Sequence, residues 1–302
     1  MSVSAFGLPV MRLLGLALAA TVSASGGAGG ASPAAAPSTP QPPGPSDVWQ
    51  SVAPGAERMN LMLDGDAVLL VRFDLDRFRA EVVVGKGSPP QRRTAADVRQ
   101  GRGALAAVNG GFFDEHVVPL GLRIATGDQR YPLRPKADWG VLVLAGHRAH
   151  IVHTHDYGAA VTAAAPAPVD GAIQVGPRLI VEGQALKLRP QLARRTAVAL
   201  DRDGQFLTLV VSPEPVEAGA LAARLATLGF DSAVFLDGGP STQLSLAVGD
   251  ARAEVAGGYP VPDLLAIFGR PAARRSTSAA APPVDRSQPA AKPAAESPAR
   301  RP

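Results

Sequence analysis

Short apolar or alternating runs fill residues 47–270, and glycine or proline interrupts them throughout. Runs of this length and period are typical of β-strands, because successive side chains in a strand point to opposite faces of a sheet. Only residues 94–100 and 216–228 have the spacing and end signals of helices. The sequence therefore predicts a single α+β domain over residues 47–270, with a central, mostly antiparallel β-sheet and a few helices.

The turns divide this region into elements. We predict strands at residues 67–74 and 80–85 as a pair, at 104–109, at 121–125, 140–145 and 150–153 as a meander, and at 172–181 as a pair broken by Gly176-Pro177. Strands at 194–200 and 205–211 enclose Asp203-Gly204, which favours a hairpin. The first helix is predicted to begin after Thr94 and to end at Gly101, and the second to end at Gly229.

Residues 233–246 (AVFLDGGPSTQLSL) organise the predicted domain. The apolar run ends at Asp237, the chain turns through Gly238, Gly239 and Pro240, and an alternating strand follows. Because the second predicted helix leads directly into this run, the stretch lies at a junction of helix, strand and turn within the sheet.

Both ends of the chain differ from this region in composition. Arg12 precedes an apolar run of 12 residues, and Val22-Ser23-Ala24 has the spacing of small residues that a signal peptidase accepts, so residues 1–24 are predicted to be a signal peptide. The alternative is a membrane anchor, but a span needs about 20 apolar residues. The predicted location is periplasmic or extracellular. No cysteine is present, which excludes a lipoprotein anchor.

Residues 25–46 and 271–302 are rich in alanine, proline and small residues, and we predict a disordered linker and a disordered basic tail. Together with the predicted signal peptide, these ends hold seven of the 30 Lys and Arg and two of the 26 Asp and Glu, which leaves 23 cations and 24 acids in residues 47–270. The predicted domain is therefore near neutral, and charge gives no argument for nucleic-acid binding. The tail is either a solvated linker or a weak contact with the anionic cell envelope. No membrane span is expected after signal cleavage.

Three clusters place polar side chains at the end of a predicted strand, and the first and last of them also contain glycine: residues 109–114, 194–197 and 237–242. The ends of central strands meet at one rim, and glycine lets backbone N–H groups approach a ligand there. Arg195 offers a planar fork of donors that suits phosphate or carboxylate. The Gly-Gly turn with Ser241 and Thr242 offers further donors to an anion, although capping explains the last pair equally well.

Five longer segments, which include these clusters, say more about function than the clusters alone. They occur together in the chain and in a fixed order. They are AAVNGGFFD at 106–114, QVGPRLI at 174–180, RRTAVAL at 194–200, EAGALAARLATLGFDSAVFLDGGPSTQL at 217–244 and VPDLLAIF at 261–268. With them the chain resembles the phosphodiester glycosidase family. It departs from the usual Asp-Gly-Gly-Gly-Ser of that family at Pro240, which has no backbone donor and a fixed φ.

The resemblance implies hydrolysis of a sugar-1-phosphodiester at the glycosidic carbon. Asp237 is then expected to act as base or nucleophile, Arg195 to hold the phosphate, and Asn109 to position sugar or phosphate oxygens. Asp114 is either a second carboxylate or a solvated loop acid. The remaining expected substrate-binding residues surround these four. They are Gly110, Gly111, Phe113, Gly238, Gly239, Ser241 and Thr242.

We predict neither a cofactor nor a metal. Four histidines lie close together, but residues on one strand alternate between faces, so they would not converge on one ion without a bend. They are His147, His150, His153 and His155. Two other functions stay open, both on the same fold. One is a non-catalytic carbohydrate-binding or exopolysaccharide and envelope-assembly protein, which Pro240 favours, and the other is a structural module tethered through its linkers.

Overall fold

The computed structural model describes residues 47–159 and 168–271, in which the predicted runs form antiparallel strands. The predicted signal peptide and linker, and the predicted tail beyond Pro271, lie outside the described residues. Within the described part of the chain, no helix is long and apolar enough to cross a membrane. The mostly antiparallel α+β architecture is confirmed, and the strands divide among three sheets instead of one.

The largest sheet has eight strands and holds the hairpin that was predicted around Asp203-Gly204. In order across the sheet these are β1 (Gln50–Ala53), β2 (Ala56–Leu63), β3 (Asp66–Asp74), β14 (Phe206–Glu217), β13 (Leu192–Leu200), β15 (Ser232–Phe235), β11 (Arg178–Val181) and β12 (Gln184–Ala185).

Two five-stranded sheets pack beside it. The second sheet runs in the order β7 (Asp128–Tyr131), β6 (Arg123–Ala125), β10 (Gly171–Val175), β8 (Gly140–Ala145) and β9 (Arg148–His153). The third runs in the order β17 (Ala251–Val255), β16 (Leu244–Val248), β5 (Ala106–Asn109), β18 (Asp263–Gly269) and β4 (Phe78–Val84). The apolar strand β5 is central in its sheet, where both of its faces can be buried.

Three predicted pairings are wrong. Strands β3 and β4 lie in different sheets, β10 separates β6 from β8, and β10 and β11 also belong to different sheets. Local alternation identifies a strand but not its neighbour, because pairing depends on residues far away in the sequence. The separation of β10 from β11 places the Gly176-Pro177 break between two sheets.

Helix α1 (Ala95–Arg102) begins at the predicted N-cap. Thr94 Oγ1 accepts a hydrogen bond from Asp97 N at 3.1 Å, and Asp97 Oδ2 accepts one from Thr94 N at 2.9 Å. The predicted end at Gly101 is wrong, because Gly101 continues the helix and Gly103 ends it in the left-handed region at φ 67°. The later glycine adopts this φ at little cost, whereas other residues are strained there.

This pair of glycines gives a stability test. We expect Gly103→Ala to destabilise the fold by about 1 kcal/mol, because alanine is strained at a positive φ. Gly101→Ala is the matched control, and it is expected to stabilise by about 0.5–1 kcal/mol because Gly101 is helical and faces open space. Urea unfolding measures both, and equal effects of the two substitutions would contradict the assignment.

Helix α2 (Ala218–Thr227) covers one face of the largest sheet. Glu217 caps it by accepting a hydrogen bond from Ala220 N at 2.6 Å. Leu221 and Leu225 are buried against that face, and the helix ends beside the predicted stop. The predicted start at residue 216 was early, because Val216 is still in β14.

The two faces of β13 contact different parts of the core. Val198 and Leu200 point toward the other two sheets, in a core that includes Val108, Leu246 and Ile173. Ala197 and Ala199 point toward α2 in a separate cluster, as alternation along a strand requires. Even-numbered residues of β13 therefore face the junction with β5, and odd-numbered residues face the helix.

Candidate active site

Asp237 lies where β15 meets the end of β5. Its backbone N donates to Gly110 O at 3.0 Å, and its carbonyl accepts from Asn109 Nδ2 at 2.7 Å. Its carboxylate has one donor on each oxygen, since Gly238 N donates to Oδ1 at 2.9 Å and Ser241 Oγ donates to Oδ2 at 2.6 Å. The carboxylate is thus held in one orientation, and each oxygen keeps a further lone pair for another group.

Burial raises the pKa of the Asp237 carboxyl above its ordinary value. The negative charge of Asp263 acts in the same direction. The hydrogen bonds from Ser241 and Gly238 and the positive charge of Arg123 oppose the shift without cancelling it. A half-buried carboxyl with a raised pKa is suited to proton transfer.

Asn109 lies behind the candidate site and does not open onto it. Its side chain is fully buried, and Oδ1 accepts from Thr196 Oγ1 at 2.7 Å and from Gln243 N at 3.2 Å. Nδ2 donates to Asp237 O and, at 3.3 Å, to Gly110 O, so all four hydrogen-bonding positions are occupied. Direct contact of Asn109 with sugar or phosphate oxygens, as predicted, does not fit this arrangement. Asn109 instead joins three chain segments beneath Asp237.

Arg195 faces the wrong side of β13 for the predicted phosphate contact. Its Nη1 donates to Gln191 Oε1 at 3.3 Å, its Nη2 donates to Gln191 O, and its guanidinium lies 4.8 Å from the centre of the Phe235 ring. These groups are on the α2 side of the sheet. The predicted phosphate contact does not fit this placement, because a shift of one residue in a strand moves a side chain to the opposite face.

Arg194 lies on the side of β13 that Thr196 and Asn109 share. Its carbonyl oxygen borders Gly238 so closely that a Cβ there would come within 3.0 Å. Its Nη2 donates to Ala256 O at 2.9 Å, and its Nε is buried without a hydrogen-bond partner in the described structure. The backbone of Arg194 thus borders the Asp237 turn, and its guanidinium reaches the end of β17 at Ala256.

The turn after Asp237 forms a short 3-10 helix, Gly239–Ser241. Ser241 N donates to Gly238 O at 3.2 Å, and Pro240 is exposed and accepts from Gly258 N at 2.7 Å. Proline fits here because the first turn of a helix leaves its N–H groups without internal partners. Thr242 is fully buried, and its Oγ1 has no hydrogen-bond partner among the described residues.

A buried ion pair, which the sequence prediction missed, supports the Gly110-Gly111 segment. Arg123 and Asp263 are both fully buried, with 3.1 Å between Nε and Oδ1, and the same carboxylate oxygen accepts from Gly111 N at 2.9 Å. A Cβ on Gly110 would overlap the Asp263 carboxylate, and one on Gly111 would overlap the Arg123 guanidinium. The two glycines therefore make room for this pair, rather than for a ligand as we predicted. A charged residue at the start of an apolar strand, as in VPDLLAIF, was the available signal.

Tyr259 is a second residue that the prediction missed. Its hydroxyl lies 3.3 Å from Ser241 Oγ, and its ring packs edge-on against Phe113 with 6.1 Å between centroids. Phe113 is thus brought near the turn.

Asp114 Oδ1 accepts hydrogen bonds from His116 N and Val118 N, both at 2.9 Å, and these bonds shape the loop of Asp114 itself. These contacts match the loop alternative for Asp114.

The histidines do not form a metal centre in the described residues. His153 Nε2 lies 2.9 Å from Asp138 Oδ1, and its ring packs edge-on against His155. Within the described ranges, no group of three or more His, Cys, Asp or Glu side chains is arranged to hold a metal ion.

Comparison with known proteins places this site in a family. Residues 102–268 match the family model "Phosphodiester glycosidase". No curated protein sequence matches the chain significantly. Among solved structures the fold is similar to a hypothetical protein from Synechocystis, with 15% identity and a TM-score of 0.52 over 72% of this chain and 62% of that one. The chain therefore covers less than two thirds of that relative.

The fold is also similar to the catalytic domain of zebrafish N-acetylglucosamine-1-phosphodiester alpha-N-acetylglucosaminidase, auto-inhibited by its pro-peptide. The identity is 18% and the TM-score 0.54, over 73% of this chain and 86% of that one. The matched region of the family model contains Asn109, Arg194, Asp237 and Asp263, and it covers more than half of the sequence. The chain belongs to the phosphodiester glycosidase family.

Proposed function

We propose that this protein is an exported hydrolase that cleaves the glycosidic bond of a sugar-1-phosphodiester, with a carbohydrate phosphodiester as its substrate. The observation that carries the proposal is the Asp237 carboxylate, which two donors orient at a glycine turn and whose pKa burial raises. The activity named for the zebrafish relative supports the same reaction class. Export rests on the predicted signal peptide at residues 1–24.

The reaction needs less assistance than ordinary glycoside hydrolysis. Most glycosidases use two carboxyl groups because a sugar hydroxyl must be protonated before it leaves. A phosphate monoester leaves more readily, so one carboxylate with cationic stabilisation of the phosphate suffices. Asp237 acts at the anomeric centre as base toward water or as nucleophile. The bond from the anomeric carbon to the phosphate oxygen breaks, and water supplies the new sugar hydroxyl and the proton.

Arg194 takes the phosphate-binding role in this proposal. It lies on the face of β13 that meets the Asp237 turn, and its Nε has no protein partner in the described structure. A guanidinium suits this task because its planar donors match two phosphate oxygens at once. Ser241 and Tyr259 add hydroxyl groups on the other side of the turn.

Two neighbouring arginine variants separate binding from folding. We expect Arg194→Gln to lower kcat/KM for a sugar-1-phosphodiester by about 10- to 100-fold, because it removes hydrogen bonds to a charged group. We expect Arg195→Gln to lower the Tm, because it loses its contacts with Gln191, while kcat/KM changes by less than about threefold. Initial rates and thermal unfolding measure both, and the reverse pattern would overturn the assignment of Arg194.

A released-sugar assay on an α-N-acetylglucosamine-1-phosphodiester tests the function itself. Release that depends on Asp237 supports a hydrolase. Binding without release favours the second candidate, a non-catalytic carbohydrate-binding or envelope-assembly protein. The observation behind that candidate is Pro240, which removes one backbone donor from the turn next to Asp237.

A further inference from the structure

A large cavity is lined by residues outside the candidate active site. Its volume is about 980 Å³, and it lies between the end of β4, the segment before α1, and the β6–β7 hairpin. Four basic side chains line it, and none of its lining residues, all of them in the described ranges, is acidic. We call this cavity the cationic groove. Its basic residues are Lys86, Arg93, Arg102 and Arg130.

Two of the four cations have partners within the protein. Arg102 Nη2 lies 2.9 Å from Glu81 Oε2, and Arg130 makes a longer contact with Asp128, at 3.4 Å between exposed groups. Both contacts are partly open to solvent, and a surface pair of this kind contributes about 0–1 kcal/mol. These acids therefore neutralise the groove only in part.

Lys86 and Arg93 make no side-chain hydrogen bond or ion pair with any residue that the structure describes. The Arg93 side chain is nevertheless half-buried, and burial together with the charge of Arg102 lowers its pKa, although the charge of Asp97 opposes this shift. A half-buried cation beside a second cation is unfavourable unless an anion compensates it. The groove has the charge and the free donors to hold one.

Backbone contacts connect the walls of the cationic groove with the segments around Asp237. Arg93 and Val261 exchange two backbone hydrogen bonds of 2.9 Å, and Tyr259, two residues before Val261, contacts Ser241. On the other side of the groove, Val84 pairs with Asp263, whose carbonyl accepts from Gly110 N at 2.8 Å. Both boundaries of the groove therefore continue into the segments that hold Asp237.

We propose that the cationic groove binds a second phosphate group of the same substrate molecule, so that the preferred substrate is a chain of phosphate-linked units rather than an isolated diester. Lys86 and Arg93 supply the free donors, and Arg102 and Arg130 add positive potential. This inference rests on the proposed function of Asp237. It adds a substrate class, namely polyanionic sugar phosphates.

Kinetics with two matched substrates test the proposal. One is a sugar-1-phosphodiester with an uncharged alkyl group, and the other carries an additional phosphate on that group. For the full-length protein we expect the second phosphate to raise kcat/KM at least tenfold, which corresponds to one charged hydrogen bond. The gain is expected to shrink as salt is added, because the groove is open to solvent.

Substitution of the free cations is expected to remove this preference. In Lys86→Gln/Arg93→Gln the ratio of kcat/KM between the two substrates falls below about threefold, while the rate on the alkyl substrate stays near wild type. The matched control is Lys187→Gln/Arg189→Gln, which changes two exposed cations between β12 and β13 and keeps the full preference. An unchanged ratio in the groove variant, or a loss in both variants, would overturn the proposal.

A binding measurement separates this inference from the proposed reaction. Inorganic tripolyphosphate, titrated by calorimetry, is expected to bind wild type and the control at least tenfold more tightly than the groove variant. If neither sugar substrate is cleaved but this difference persists, the groove is an anion site and the proposed hydrolase activity is wrong. If tripolyphosphate binds all three proteins equally, the groove proposal is wrong whether or not the diester is cleaved. The single variant Lys86→Gln allows the same comparison of tripolyphosphate binding. Lys86 is an exposed loop residue, so this variant makes no change near α1.

Discussion

Asp237→Asn is expected to lower kcat on a sugar-1-phosphodiester by about 10²- to 10⁴-fold, the range for loss of an acid–base group. The amide keeps a carbonyl oxygen for Gly238 N, and its NH₂ group can donate to Ser241 Oγ, so the turn stays satisfied. Released-sugar rates, with thermal unfolding in parallel, measure the effect. Asp114→Asn is the matched control, since an amide oxygen can still accept from the His116 and Val118 amides.

Wild-type rates in Asp237→Asn would refute the proposed role of this carboxylate. An equal loss in Asp114→Asn would instead identify Asp114 as the second carboxylate of a two-acid mechanism. If ionised Asp237 is the reactive form, activity rises with pH through its raised pKa, so the acidic limb of the rate profile lies above the usual pH range of aspartate. The Asp237→Asn profile is expected to lack that limb.

Asp237 also affects how stability depends on pH. The pKa of Asp237 is higher in the folded protein than in the unfolded chain. Ionisation of this carboxyl therefore lowers the free energy of unfolding at pH values above the unfolded pKa, and this loss is removed as pH falls through the folded pKa. Asp237→Asn carries no such charge. We therefore expect its Tm, relative to wild type, to increase as pH rises through this window.

Asp263→Ala is expected to destabilise the protein by about 3–5 kcal/mol, because it leaves the Arg123 charge buried without its partner. Both side chains are fully buried, and the Asp263 carboxylate also holds Gly111 N. Urea unfolding measures the loss. The control is Arg202→Gln, which breaks an exposed ion pair with Asp231 and is expected to cost less than about 1 kcal/mol.

The double variant Arg123→Met/Asp263→Leu keeps this prediction testable if the single variant does not fold. Replacing both charges with apolar side chains is expected to recover a large part of the stability, because no unpaired charge remains buried. A cost below about 1 kcal/mol for Asp263→Ala, or no recovery in the double variant, would contradict the electrostatic explanation.

Much of the fold followed from local patterns. The helix start at Thr94, the hairpin between β13 and β14 and the strand β5 were all predicted, because each depends on residues close together in the sequence. The division into three sheets was not predicted. It depends on which strands exchange hydrogen bonds across long stretches of chain, and alternation is the same for every candidate partner.

The candidate site likewise has features that local sequence predicted and features that depend on distant residues. The sequence placed Asp237 at the end of a buried strand in a glycine turn, and its motifs indicated the family. Which arginine lies on the same face of β13 as Thr196 depended on the register of the strand, where one position separates that face from the α2 side.

The sequence by itself therefore determined the strand-rich composition, the family and the position of Asp237 in the chain, because short-range patterns and motifs encode these. Only the tertiary structure decided that Asn109 is buried behind Asp237, that Arg194 rather than Arg195 lies on the Thr196 side of β13, and that Arg123 and Asp263 form a buried pair beside Gly110 and Gly111. These facts depend on contacts between segments far apart in the sequence, where burial and strand register decide which groups remain free for a substrate.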